Sequence, residues 1–192
     1  MIQLLLFRYR VVFEFPLPLT NNWLPKTACD LNFNQHSWLL SEGSLTAKLK
    51  SSFIDFSVEV LSEKQQRLTP EQASFMTPNQ QGVYTFREVI LRCDNQAQIY
   101  AQSWIPEALF FADSQLMQLG NKPLGEYLFG HPDLIRNEIQ VAHFDESHPV
   151  IDLACSLNLP KQACLGRRSI FSLFGYQVMV CEVFLPHSVL YT

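Results

Sequence analysis

Residues 176–186 read YQVMVCEVFLP. Apart from Gln177 this is an apolar strand with one carboxylate in it, Glu182. A strand that is apolar on both faces is usually buried on both. A carboxylate buried there must pair, take up a proton or bind something, because an unpaired charge in an apolar interior is costly. The other reading is an edge strand with Glu182 in water. The run by itself leaves both open, since short apolar runs are ambiguous.

Working outward, RRSIFSLF precedes this strand, and Gly175 joins the two as a hairpin. VYTFREVILRC and QIYAQSWIP flank Asp94–Asn95 as a second hairpin, which Pro106 closes. FIDFSVEVLSE alternates and reads as a strand, and DLIRNEIQVAHF as one more. Short helices lie between them. HSWLLSEGSLTAKLKSS breaks at Gly43, with Ser44 able to cap its second part. EALFFADSQLMQLG has helical spacing and a C-cap signal at Gly120. Pro123 opens the helix PLGEYLFG. RLTPEQASFMTPNQQG reads as a loop with one helical turn, and DESHPVIDLACSLNLPKQAC as a loop with a short helix. The strands are joined by hairpins or excursions, without regular βα alternation. That pattern predicts an α+β domain, a six-stranded antiparallel sheet with helices grouped on one face. Residues 1–22 read as an N-terminal extension and residues 23–192 as a single domain.

Of the 192 residues, 47% are hydrophobic and 17% charged, against about 25% charged in an average soluble domain. A water-poor interior follows. The net charge of −4 argues against a nucleic-acid partner, which needs a basic face. The five cysteines form no CxxC pair and no zinc spacing. Cys93 and Cys181 read as small core residues, and the chain as a reduced, cytoplasmic protein. The opening run MIQLLLFRYRVV is interrupted by Arg8 and Arg10. It fits no signal peptide, and no stretch of the chain is long enough to span a membrane.

Two apolar strands carry isolated charges. In TFREVIL, Arg87 and Glu88 are neighbours and point to opposite faces, so at least one faces the core. Arg87 and Glu182 either pair directly or line a cavity that awaits a polar ligand; periodicity leaves both open. Arg167 and Arg168 diverge in the same way and read as a solvated strand start. The five histidines lack metal-site spacing, and His131, His148 and His187, in turn-like contexts, read as surface residues. No GxSxG, P-loop or GxGxxG occurs. The sequence thus implies no nucleophile, no metal and no nucleotide cofactor, which leaves positioning and electrostatics to do the chemistry.

Six stretches, WLLSEGSLTAKLK, FREVILRCD, AQSWIP, LGNKPLGEYLF, GRRSIFSLFG and CEVFLPHSVLY, follow one another across residues 35–191. Together they resemble the chorismate pyruvate-lyase family, which makes 4-hydroxybenzoate for ubiquinone. The resemblance implies an antiparallel sheet with an internal cavity closed by helical flaps. It also implies a soluble, cofactor-free monomer with chorismate as its substrate. It assigns Arg87, of the family's REV motif, to a substrate carboxylate. It assigns Glu182, before the FLP motif, to the ring hydroxyl. These two would be the catalytic pair, and Glu182 would be buried because its partner is the substrate. Leu124 of the PLG motif and Leu45 of the SLT motif would bind substrate from the two flaps. Gln102 departs from the family, which often has Arg there as a second cationic group near the site; this puts a second carboxylate contact in doubt. The alternative is a binding module. The fold also resembles the effector-binding domain of some bacterial transcription regulators, and such a domain would hold an aromatic acid without turning it over.

Overall fold

Asp94 and Asn95 both take positive φ, 47° and 63°. This is the geometry of a two-residue turn whose twist matches its flanking strands. It folds β3 (Val83–Cys93) onto β4 (Gln96–Pro106). The computed structural model describes residues 12–76 and 82–192. The start of the proposed extension, residues 1–11, and the end of the TPEQ-containing loop, residues 77–81, lie outside the described residues.

β8 (Tyr176–Phe184) pairs with β4 on one side and with β7 (Cys164–Leu173) on the other. It is an interior strand, so the edge-strand reading of YQVMVCEVFLP falls. β2 (Phe56–Arg67) flanks β3, and β6 (Gln140–Phe144) flanks β7. Two-residue strands β1 (Leu24–Pro25) and β5 (Ile135–Arg136) pair with β6 and β7. Among the described residues the sheet therefore has eight antiparallel strands, where six were expected, with the path β1-β6-β7-β8-β4-β3-β2. DLIRNEIQVAHF is the source of one extra strand. It reads as continuous, but the chain interrupts its pairing at residues 137–139 and then pairs with β7 a second time. Leu24–Pro25 is too short for any alternation to reveal.

Helices cover both faces, a second departure from expectation. On one face lie α1 (Phe33–Leu39) and α2 (Leu45–Ser52), with Leu39, Leu45 and Leu49 packed around Val89, Leu91 and Ala101. The same face carries α4 (Glu107–Ala112) and α5 (Leu124–Phe129), whose Leu109, Leu124 and Leu128 pack with Ile105, Phe171 and Val178. The Ser44 hydroxyl caps α2 by accepting from the Ala47 N–H at 3.2 Å. On the other face α6 (Pro149–Ser156) presents Val150, Ile151, Leu153 and Ala154 to Phe86, Ile90 and Tyr100. Those four residues recur at helical spacing, one apolar stripe against the sheet. Leu17 and Leu19 join this second core, and the short α3 (Pro70–Ser74) leads into it through Phe75 and Met76. All five cysteines are free, with Cys93 and Cys181 buried. No helix among the described residues is long and apolar enough to cross a membrane.

The second core contains one carboxylate, Glu88, which is fully buried. Its Oε1 accepts from the Leu17 N–H at 2.7 Å, from Gln102 Nε2 at 3.2 Å and from the Tyr100 hydroxyl. Its Oε2 has no partner among the described residues. Burial pushes the Glu88 pKa up, against the opposing pull of those three donors. Across the sheet, Gly166 lets β7 lie close to its neighbours. A Cβ there would stand 2.7 Å from the Phe144 ring and 3.1 Å from the Glu182 carbonyl oxygen.

Two stability effects follow. Gly166→Ala forces the Phe144 ring or the strand backbone to move, an overpacking that costs about 1–3 kcal/mol; urea unfolding midpoints measure it. Glu88 holds its proton more tightly folded than unfolded. Its contribution is full below the ordinary value of 4.5 and is lost as pH rises through the raised, folded value. Glu88→Gln removes that titration, so the midpoint of the variant should gain on the wild type as pH rises above that ordinary value. A constant difference as pH rises would mean that Glu88 does not titrate in this way.

Candidate active site

On the face covered by α2 and α5, each strand contributes alternate residues. Arg87 on β3 stands opposite Ser103 on β4, and Val89 stands opposite Ala101. Ala101 stands opposite Glu182 on β8, which stands opposite Arg167 on β7. Arg87 and Glu182 are therefore two strands and one two-residue step apart, about 12 Å between Cα atoms from ordinary strand spacing and rise. The residues between them, Ala101 and Ser103, are small and leave the floor of the sheet hollow. A pocket of about 50 Å³ fills that hollow, and Leu45, Arg87, Leu124, Arg167 and Glu182 all line it.

Leu45 and Leu124 are the first residues of α2 and α5. Both side chains are buried. The two helix starts meet above the pocket, where a Cβ on Gly125 would lie 3.1 Å from Thr46 Oγ1. An ion pair between Lys50 and Glu126 joins the helices on their outer side. Thus the four residues expected to meet substrate, Leu45, Arg87, Leu124 and Glu182, do converge on one pocket.

The two expected charges do not pair with each other. Arg87 is 3% exposed and pairs with Glu63 on β2. Its Nη2 donates to the Gly120 carbonyl at 2.7 Å and the Lys122 carbonyl at 3.3 Å, both in the segment before α5. Strict alternation from Val58, which faces the pocket, would put Ser62 on this face and Glu63 away from it. A register shift between Val60 and Ser62 aligns Glu63 with Arg87 instead. A bulge leaves no simple mark in sequence, so Glu63 escaped notice.

Glu182 pairs with Arg167, Oε2 to Nε at 2.6 Å. Arg167 is 2% exposed, so the solvated reading of GRRS is overturned for this residue. Its Nη1 donates to the carbonyls of Trp38, Leu39 and Ser41 at 3.0–3.3 Å. These are carbonyls at and just past the end of α1, which have no acceptor role left inside the helix. Arg136 reaches the same corner and donates to the carbonyls of Ser41 and Glu42 and to Ser169 Oγ. Burial, and then the charge of Arg167, lower the Arg136 pKa to about 10. Arg168 diverges as expected, and its guanidinium lies 4.2 Å from the Phe75 ring and 4.8 Å from the Trp23 ring on the other face. The signal for Arg167 was present: it sits on the strand paired with YQVMVCEVF, so the argument that buries Glu182 also buries a residue directly across from it.

Gln102 points away from this pocket. It donates to Glu88 and to the Leu17 carbonyl, and its Oε1 accepts from Trp104 Nε1 at 2.7 Å. The residue at this position belongs to the second core and meets no ligand in the pocket.

Solved structures share the fold at low identity. A gene product of Staphylococcus aureus subsp. aureus N315 matches with a TM-score of 0.55 at 13% identity, over 76% of this chain and 89% of its own. A GntR-family transcriptional regulator from Bacillus cereus matches with a TM-score of 0.51 at 11% identity, over 69% of this chain and 93% of its own. Sequence relatives are nearer. A probable chorismate pyruvate-lyase of Pseudoalteromonas translucida (strain TAC 125) is 43% identical over 92% of this chain and 98% of its own length. One from Idiomarina loihiensis is 38% identical over 93% of this chain and 92% of its own. The sequence pattern of the family described as Chorismate lyase matches residues 17–192, and on that match the chain belongs to the chorismate lyase family.

Proposed function

We propose that the chain is a chorismate pyruvate-lyase, which eliminates pyruvate from chorismate to leave 4-hydroxybenzoate for ubiquinone biosynthesis. The observation that carries this reading is the convergence of Leu45, Arg87, Leu124 and Glu182 on one buried pocket in a member of the family. In the reaction the ring–ether C–O bond breaks and the ring carbon bearing the hydroxyl gives up its hydrogen as a proton. The electrons of that C–H bond complete the aromatic ring, and those of the C–O bond leave with the enolpyruvyl oxygen. The same proton count, returned to the methylene carbon, makes pyruvate. Atoms and electrons balance without water or a redox partner, so the reaction as proposed needs no cofactor.

Within that scheme Arg87 grips the ring carboxylate; a guanidinium offers two parallel donors and a permanent charge. Glu63, its present partner, is about half exposed and can turn to water when the substrate carboxylate arrives. Glu182 accepts from the ring hydroxyl. Leu45 and Leu124 close over the ring and exclude water, which strengthens both polar contacts. A pocket of about 50 Å³ is well below the roughly 300 Å³ of ordinary ligand sites. Helices α2 and α5 therefore act as flaps that part to admit substrate. We place residues 23–192 as one catalytic domain, with residues 13–19 of the segment before it packed over the opposite face, and the enzyme as a cytoplasmic monomer.

The alternative, a module that binds an aromatic acid without reaction, draws on the fold shared with a GntR-family regulator. Turnover separates the two. The purified protein mixed with chorismate, with no metal or cofactor added, should release 4-hydroxybenzoate and pyruvate in equal amounts. Binding of 4-hydroxybenzoate with no product from chorismate would favour the module. Arg87→Ala and Glu182→Ala should each lower kcat/KM on the order of a hundredfold or more, the scale of a lost charge-assisted contact, in protein that still unfolds cooperatively. Undiminished activity in both would remove these residues from the mechanism.

A further inference from the structure

Arg167 lines the pocket and Arg136 lies behind it, outside the lining; the only carboxylate within ion-pair distance of either among the described residues is Glu182, with Glu42, 80% exposed to water, the weaker attraction on Arg136. Arg136 is held entirely by carbonyl and hydroxyl oxygens. Two guanidinium groups against one carboxylate leave a surplus positive charge in a poorly solvated place, which is costly until an anion joins it. Arg167 has used Nε on Glu182 and Nη1 on the carbonyls after α1. Its Nη2 has no acceptor among the described residues and is not among the buried atoms without a partner. Arg167 itself lines the pocket. The corner thus offers a forked donor beside Glu182, with one arm unused.

This inference rests on the lyase reading. Chorismate carries two carboxylates, one on the ring and one on the enolpyruvyl ether. The ether stands on the ring carbon next to the one that bears the hydroxyl. If Glu182 meets that hydroxyl, the ether and its carboxylate come to the side of Glu182. Arg87 is then committed to the ring carboxylate on the far side of the pocket. The cation within reach of the second carboxylate is Arg167, whose Nε is 2.6 Å from Glu182. Gln102, where the family often has Arg, lies on the other face of the sheet beside Glu88 and does not serve this role.

We propose that Arg167 is the residue that holds the enolpyruvyl carboxylate of the substrate, and that it selects a dicarboxylate over a monocarboxylate ligand. It keeps hold of the carboxylate as the ether bond breaks, while Glu182 stays on the ring hydroxyl. The product 4-hydroxybenzoate has no group for it, so substrate and product are distinguished at this corner and not at Arg87.

Two stable aromatic probes test this without turnover. 4-Hydroxy-3-methoxybenzoate carries the ether but one carboxylate. 3-(Carboxymethoxy)-4-hydroxybenzoate adds the second carboxylate at the end of the ether. Calorimetric titration of the wild-type protein should favour the dicarboxylate by about tenfold or more, the worth of one charge-assisted contact. Arg167→Gln should bring that ratio near one, whatever it does to the affinity for the methoxy compound through Glu182. Arg167→Lys, which keeps the charge and loses the fork, should keep part of the preference and serves if the Gln variant does not fold. No preference in the wild type, or an unchanged preference in either folded variant, overturns the assignment of Arg167. If the methoxy compound and 4-hydroxybenzoate still bind in that case, the lyase reading stands alone. If no probe binds the wild type, both fall together.

Discussion

The ion pair between Glu182 and Arg167 organises the pocket side of the molecule. It spans β8 and β7 at the point where the sheet is buried on both faces. A buried pair of this kind is a poor stabiliser, because the cost of taking two charges from water offsets much of their attraction. What it provides is position. Arg167 fastens the carbonyls that follow α1, and so fixes where the chain turns toward α2. Through that turn the same residue sets both the floor beside Glu182 and the start of the helix that covers it.

The hollow between the charges comes from what the central strand lacks. β4 lies between β3 and β8, and on the pocket face it carries Ala101 and Ser103 where its neighbours carry Val89, Arg87 and Glu182. A large side chain at either place would fill the gap that separates the two charges. The helices above are fitted to the same gap. Gly125 lets α5 approach α2 closely, and the two first-turn leucines line the pocket between them. Small residues below and a glycine above therefore shape the pocket as much as its charged walls do.

Much of this was legible from the strands. Alternation placed Arg87 and Glu88 on opposite faces, the Asp94–Asn95 and Gly175 hairpins were visible, and β8 proved to be interior, with Glu182 partly buried and paired. The errors share a cause: pairing partners are not written in a strand's own residues. DLIRNEIQVAHF reads as one strand because nothing local shows that its middle leaves the ladder. Glu63 is hidden by a bulge that reverses the alternation of β2. Arg167 was read as solvated because GRRS opens its strand, although the strand it pairs with is apolar apart from Gln177 and Glu182. The helices on the far face were missed because the stripe of α6 says that it is amphipathic but not which face of the sheet it meets.

The departure at position 102 changes meaning once the faces are known. By sequence Gln102 looked like a lost cation of the active site. It stands directly opposite Glu88 on the neighbouring strand, and no ion pair reaches that carboxylate among the described residues. An Arg here would face the same carboxylate and favour its charged form. With Gln in its place, Glu88 depends on three neutral donors, one of them the Leu17 N–H. The segment that carries Leu17 is thereby tied to the back of the strand whose front carries Arg87. The consequence of Gln102 belongs to folding and its dependence on pH, and the second carboxylate of a ligand has to find its cation elsewhere, on the front of β7.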